Sequence, residues 1–405
     1  MKRILCLFLA AVLLCATTLT SCSENKDENN SKNPTILVNP DLADNANATS
    51  DGLMSYKGNK IPAGIFRFLL SQTKSAYIYS MTGTFEDDPA LWSEMSDDNQ
   101  TTMGQVLFNE TLDSALSILY YSSVAQEKGI TLTREEDDEI ITALESLVAA
   151  YGSRAQFNTA MLKHGVGYNT LRDFYRLEAL AQKGADSVMG EKGSAPITEE
   201  DLLDYYKQNF VTLRHIYFNT AYNDPVTGQP LTEEQKTEKS ARADVILDLV
   251  NNKGKKLSDF KDESEDGIIN DNANGVTIPL GELLKIYASY GTENNVFYNY
   301  YFLFYNVRGF AEAALMYDSG VVTRVDNEGM GIFLVERTPL VANMFDDYKD
   351  AIREFILRPQ RMSETIGKLK AENAFTIDNN ALATYSIENV EVMTQLASTQ
   401  GLSIN

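Results

Sequence analysis

The side chains able to carry chemistry in this chain are few. It has two histidines, His164 and His215, and three cysteines, Cys6, Cys15 and Cys22. Two separated histidines cannot build a histidine-rich metal site, so no metal and no cofactor are expected. No serine stands between the flanking glycines of a nucleophile elbow, which argues against a hydrolase. The acidic runs Glu135-Glu136-Asp137-Asp138 and Glu233-Glu234 sit where helices begin. Carboxylates there suit the positive end of the helix dipole, so they read as solvated helix starts rather than as a catalytic pair.

The cysteines belong to a leader. Lys2 and Arg3 are followed by an apolar stretch, Ile4 to Thr17, too short to span a bilayer, and then by Leu19-Thr20-Ser21-Cys22. This arrangement resembles the lipobox of bacterial lipoproteins, in which cleavage precedes the cysteine and its thiol is acylated. Residues 1–21 are therefore expected to be a signal peptide and Cys22 a lipidated N-terminus. One acyl chain anchors only marginally, at about 0.8 kcal/mol per buried CH₂. The resemblance implies several chains on Cys22. Cys6 and Cys15 leave with the leader, so the mature chain keeps no thiol for a disulfide, a metal or a nucleophile. The leader also takes away two of the 35 basic residues and none of the 57 acidic ones, moving the formal charge from −22 to −24. Such a balance opposes binding to nucleic acid and to anionic headgroups, leaving the lipid as the membrane contact.

The elements that must position any site follow from patterning. Residues 22–55 are rich in Asn, Asp, Ser and Lys and read as a flexible tether. Residues 56–210 show helical spacing throughout. Pro62 opens one helix, Val106 to Val124 form the stripe of a longer one, and Thr133/Glu136 spell a capping box. Thr198-x-x-Asp201 marks a last start. Nothing in this region alternates as a strand, so an all-helical domain is expected. Leu213–Phe218 then reads as a strand, Glu233–Asn251 as a helix, Gly267–Gly281 as turns, and Gly320–Val325 and Gly331–Val335 as two late strands. Residues 211–340 are thus a small α+β domain. Helical spacing resumes over residues 341–385, with a kink or break expected at Pro359, and residues 386–405 form a tail. The fold class is mainly α, with a helical domain built from N- and C-terminal segments and an α+β domain inserted between them.

The run Ala125–Thr133, Phe157 with Gly165, and Ile197-Thr-Glu-Glu-Asp-Leu-Leu-Asp-Tyr-Tyr206 resemble the helical domain of PrsA- and SurA-type foldases. Leu213-Arg-His-Ile-Tyr-Phe218 is similar to the first strand of a parvulin peptidyl-prolyl isomerase, Leu257–Ser264 to its second helical region, and Phe310–Leu315 through Val335 to its closing segment. With the lipobox, this order looks like that of PrsA-type foldase lipoproteins over about Ile61 to Lys370. The resemblance implies cis–trans isomerisation of X-Pro bonds, whose barrier of about 18–20 kcal/mol makes the uncatalysed step slow. It also implies unfolded exported polypeptides as partners, and attachment to the outer face of the cell membrane of a Gram-positive bacterium.

Carried over residue by residue, the resemblance puts His215 on the first of two family histidines and Phe310 on the phenylalanine of the proline pocket. Val307, beside Asn306, stands near the position of the pocket's Met or Leu, and Phe218 is the other residue assigned to substrate binding. For the family's Asp or Cys the nearest residues are Asp262 and Asp266, with Asp266 taken as the catalytic assignment. The second histidine is replaced by Gly331. An aromatic segment from Tyr287 to Tyr305 departs from the family and reads either as core or as a rigid surface for unfolded clients. With one histidine missing, a chaperone carrying a degenerate isomerase domain is the expected activity. The competing reading, a lipid-anchored binding protein for a small solute, would need repeated βαβ units around a cleft, and none occurs.

Overall fold

In the computed structural model the described residues are 52–96, 100–223, 228–265, 275–289, 295–316 and 320–394. They fall into two compact units. One ends at Ile197 and resumes at Leu357, and the other runs Thr198–Ile356. The helical domain is thus assembled from both ends of the chain, with the α+β unit inserted.

The first unit opens with a hairpin, β1 (Gly52–Tyr56) and β2 (Asn59–Pro62), where the sequence suggested tether and helix. Six helices follow: α1 (Ala63–Thr82), α2 (Pro89–Ser93), α3 (Met103–Glu127), α4 (Arg134–Ala150), α5 (Arg154–Leu162) and α6 (Tyr168–Met189). Their starts are chemical. Pro62 precedes α1, Thr102 accepts from Gln105 N–H, and Thr133 with Glu136 closes both halves of the capping box. The core is the seam between α3 and α6; Leu107, Leu116 and Leu119 of the first helix and Leu171, Phe174 and Leu177 of the second are all buried. Each such side chain contributes about 1.5–3 kcal/mol. The backbones come so close that a Cβ on Gly184 of α6 would sit 1.9 Å from the Tyr121 carbonyl of α3. Any side chain at 184 would force these two helices apart.

The second unit begins with α7 (Glu199–Asn209), whose start is the predicted Thr198/Asp201 box, and β3 (Phe210–Asn219). Next come α8 (Glu233–Lys253), a 3-10 turn at Leu257–Glu263, and β4 (Val276–Pro279). Then follow α9 (Glu282–Ser289), α10 (Val296–Asn306), α11 (Phe310–Leu315), β5 (Val322–Asn327), β6 (Gly331–Thr338) and α12 (Phe345–Ile352). The four strands form an antiparallel sheet in the order β4-β3-β6-β5. β4 lies inside the stretch read from sequence as turns. Its four residues are too few to alternate visibly, and pairing with β3, including a 2.9 Å Thr212–Thr277 hydroxyl contact, makes it a strand.

All ten residues of β3 are buried because both faces of the sheet are covered. On one face Ile216 and Phe218 pack with Ala243, Ile246 and Leu257; on the other Val211, Leu213 and Tyr217 pack with Tyr300, Leu303 and Phe310. The helical spacing beyond Met344 belongs partly to this unit. Phe345 of α12 sits 5.7 Å from Tyr206, and Tyr348 sits 4.9 Å from Phe210, so aromatic packing holds α12 to α7 and β3.

A π-type turn, Arg353–Leu357, precedes α13 (Arg358–Ala371), with Pro359 in the first turn of the new helix. The ring cannot follow an unbroken α-helical ladder, and the wider turn accommodates it. Back in the first unit, Arg358 pairs with Asp186 at 2.6 Å and Lys370 with Asp113 at 2.5 Å. The two-residue β7 (Thr376–Ile377) joins β1, and the short α14 (Asn379–Leu382) follows. Residues beyond 385, read from sequence as a tail, are packed as far as they are described: Ile387, Val390 and Met393 are buried.

Candidate functional site

The residues singled out for isomerase chemistry centre on the sheet face beneath α10 and α11. His215 stands at the middle of β3, opposite Val335 of β6. Strand alternation puts it on the same face as Leu213 and Tyr217, toward the two helices. Phe310 opens α11 and Val307 ends α10; both are buried against this face. The structure therefore brings His215, Phe310 and Val307 into one cluster.

Among the described residues that cluster is closed over the imidazole. His215 has 0% exposure, as do Tyr300 and Phe310. The Tyr300 hydroxyl lies 3.3 Å from His215 Nδ1, and the two rings meet edge to face at 5.6 Å. Phe310 and Phe333 flank the imidazole at 5.9 and 6.1 Å. The helix responsible is α10. Its Tyr300, Leu303 and Val307 recur at helical spacing and occupy the volume over His215. As arranged, the imidazole hydrogen-bonds and packs, and a peptide would have to displace Tyr300 to reach it.

The other assignments scatter. Phe218 points to the opposite face of the sheet, against Ala243 and Ile246 of α8. Asp262 is exposed in the 3-10 turn, while Asp266 and Cys22 lie outside the described residues. Gly331 begins β6 opposite Asn219, four residues along β3 from His215. Its φ is +146°, and a Cβ there would lie 2.2 Å from the Phe218 carbonyl oxygen and 3.0 Å from the Thr220 nitrogen. The backbone at 331 therefore demands glycine, and a second histidine has no place at that position.

The aromatic segment divides between core and surface. α10 carries no charged residue. While Tyr300 and Leu303 face inward, Tyr298, Phe302 and Tyr305 remain 39%, 38% and 47% exposed. Tyr301 joins them, its ring 4.6 Å from that of Tyr305. These four positions, i, i+3, i+4 and i+7, form one stripe of a helix whose opposite side is already in the core. Sequence alone could not assign the nine aromatics of this segment to a side. The fixed point that does so is His215, because its partner Tyr300 sets the phase of the helix.

The other histidine lies in the helical unit and is structural. His164 is buried, with Nδ1 3.1 Å from the Ser71 hydroxyl. Burial, helped by the positive charges of Lys163 and Arg67, lowers its pKa from 6.5 to about 4. The folded chain thus holds the neutral ring while the unfolded chain takes up a proton below pH 6.5. Stability from this group is complete above that pH and is lost as pH falls toward 4. Urea unfolding at about pH 7 and about pH 4.5 should differ by on the order of 2–3 kcal/mol more in the wild type than in His164→Gln.

No protein-family model matches the chain, and no curated protein matches it. Among solved structures it is similar to three PrsA proteins. One is the peptidylprolyl isomerase PrsA of Bacillus anthracis, at 14% identity and TM-score 0.24, covering 64% of this chain and 97% of that one. The second is the foldase protein PrsA of Streptococcus pneumoniae, at 17% identity and TM-score 0.22, covering 72% and 97%. The third is PrsA of Bacillus subtilis, at 16% identity and TM-score 0.22, covering 68% and 93%.

Proposed function

We propose that this chain is a lipid-anchored chaperone on the outer face of the cell membrane, which holds unfolded exported polypeptides and does not isomerise proline at His215. The observation that carries this reading is the double-sided helix α10. Its inner aromatics close the space over His215, and on its outer stripe Tyr298, Phe302 and Tyr305 are exposed, with Tyr301 half-buried among them. Contiguous exposed apolar surface marks an interaction site. Tyrosine and phenylalanine suit a binder of varied chains, since they offer large contact area with few rotatable bonds. Anchoring rests on the leader that ends before Cys22 and on the lipid carried by that cysteine, and the acidic surface keeps the folded part off anionic headgroups.

The test pairs two assays on one preparation. A protease-coupled X-Pro peptide should show no acceleration above background, and His215→Ala should leave that result unchanged. Aggregation of an unfolded client should be suppressed, and the triple substitution Tyr298→Ser, Phe302→Ser, Tyr305→Ser should weaken client binding by about tenfold, equivalent to roughly 1.4 kcal/mol. Isomerisation that depends on His215, or client binding indifferent to the triple substitution, would overturn the proposal.

A further inference from the structure

Lys74 of α1 is a buried cation, with 1% exposure. Its ammonium donates to the main-chain carbonyls of Val390 at 2.9 Å and Glu388 at 3.3 Å. It also pairs with Asp87 at 2.6 Å and lies 5.5 Å from the centre of the Trp92 ring. The next residue extends the pattern: the Ser75 hydroxyl accepts the Met393 N–H at 2.7 Å. Between these polar anchors Val390 and Met393 are buried, and nearby Tyr385 meets Phe66 edge to face at 5.9 Å. The segment Tyr385–Met393 contains no helix or strand. It is an irregular strap laid along a groove of the helical unit.

The chemistry of the groove is that of a receptor for polypeptide. Lys74 and Ser75 grip carbonyl and amide groups that every chain carries, so the polar recognition is independent of sequence. The apolar part asks only for aliphatic side chains at intervals. Moreover, Lys74 has a partner outside the strap. Asp87 stays beside it, itself held by the Trp92 indole N–H at 2.9 Å, so the cation keeps a counterion and an aromatic face when the strap leaves. A lysine that existed only to latch the chain end would be orphaned on release, whereas this one is prepared to exchange one main chain for another.

We infer that the groove lined by Lys74, Ser75, Trp92 and Phe66 is a second polypeptide-binding site, occupied at rest by the chain's own strap Tyr385–Met393, which unfolded clients with recurrent aliphatic residues displace. The inference rests on the chaperone reading above and adds a site and an autoinhibitory occupant to it. Binding at the groove is then reduced by the fraction of time the strap occupies it.

The experiment uses the full chain and reduced, carboxymethylated α-lactalbumin as a permanently unfolded client. Val390→Asp with Met393→Asp loosens the strap without altering the groove, and client affinity is expected to rise by about tenfold or more. Amide hydrogen exchange on the wild type provides a measurement independent of how that variant folds. Saturating client should speed exchange at Met393, the strap amide held by Ser75, by about tenfold or more. Unchanged exchange at Met393 with client bound, or no gain of affinity in a folded variant, overturns the inference and leaves the chaperone reading standing. If neither wild type nor variant binds the client, the chaperone reading falls and the inference falls with it.

Discussion

Replacing Gly331 with histidine, the change that would complete a pair of family histidines, is expected to unfold the α+β unit rather than to create activity. The Cβ alone would stand 2.2 Å from the Phe218 carbonyl oxygen, and φ of +146° is closed to residues with side chains. Relief requires β6 to move away from β3, and these two strands are paired from Thr212 to Asn219. A loss of at least about 4 kcal/mol is expected, more than backbone strain alone would cost. Gly331→Ala should lose nearly as much, because the clash belongs to the first side-chain carbon. Urea unfolding followed by circular dichroism checks both. A Gly331→His protein with the wild-type midpoint that speeds an X-Pro peptide would mean that His215 is open to substrate.

The second large effect concerns Tyr300. It is wholly buried, fills the space over His215, and packs in one cluster with Leu303 and Phe310. Truncation to alanine removes an aromatic ring from a closed core and should cost about 3–5 kcal/mol. Tyr300→Phe keeps the ring and removes the hydroxyl that lies 3.3 Å from His215 Nδ1, so about 1 kcal/mol is expected. The contrast between the two separates packing from hydrogen bonding, with thermal or urea denaturation as the readout. If Tyr300→Ala folded with little loss, the residue would be a movable cover rather than core. His215 would then be reachable, and the same variant should be assayed for proline isomerisation.

The order of the elements was legible in the sequence because local signals are dense there. Thr133/Glu136 and Thr198/Asp201 announce helix starts through bonds made within one turn, and both boxes form. The run around His215 alternates between two buried faces and is rich in residues that prefer strands, and β3 results. The inserted arrangement was legible too, since helical spacing resumes after the last strand and a lone amphipathic helix needs a partner. Three strands were not legible for a common reason. β1, β2 and β4 are four or five residues long, and such strands are made by the partner they pair with more than by their own composition. The place where the second unit ends follows the same logic: α12 has ordinary helical periodicity, and it is the packing of Phe345 and Tyr348 on the rings of Tyr206, Phe210, Tyr287 and Phe297, with the Tyr348 hydroxyl donating to the Thr277 carbonyl, that binds it to the α+β unit.

By itself the sequence determined which chemistry was available: two histidines, a glycine at 331, an uncharged aromatic run, and three cysteines confined to the first 22 residues. Residue types are readable one at a time, so exclusions follow directly from them. Only the tertiary structure decided what those residues do. Tyr300 faces His215 while Tyr298, Phe302 and Tyr305 face solvent, and Lys74 meets the carbonyls of Glu388 and Val390 across more than 300 positions of chain. Such pairings are set by the phase of one helix and by the closure of a long loop, and neither leaves a mark on the local sequence.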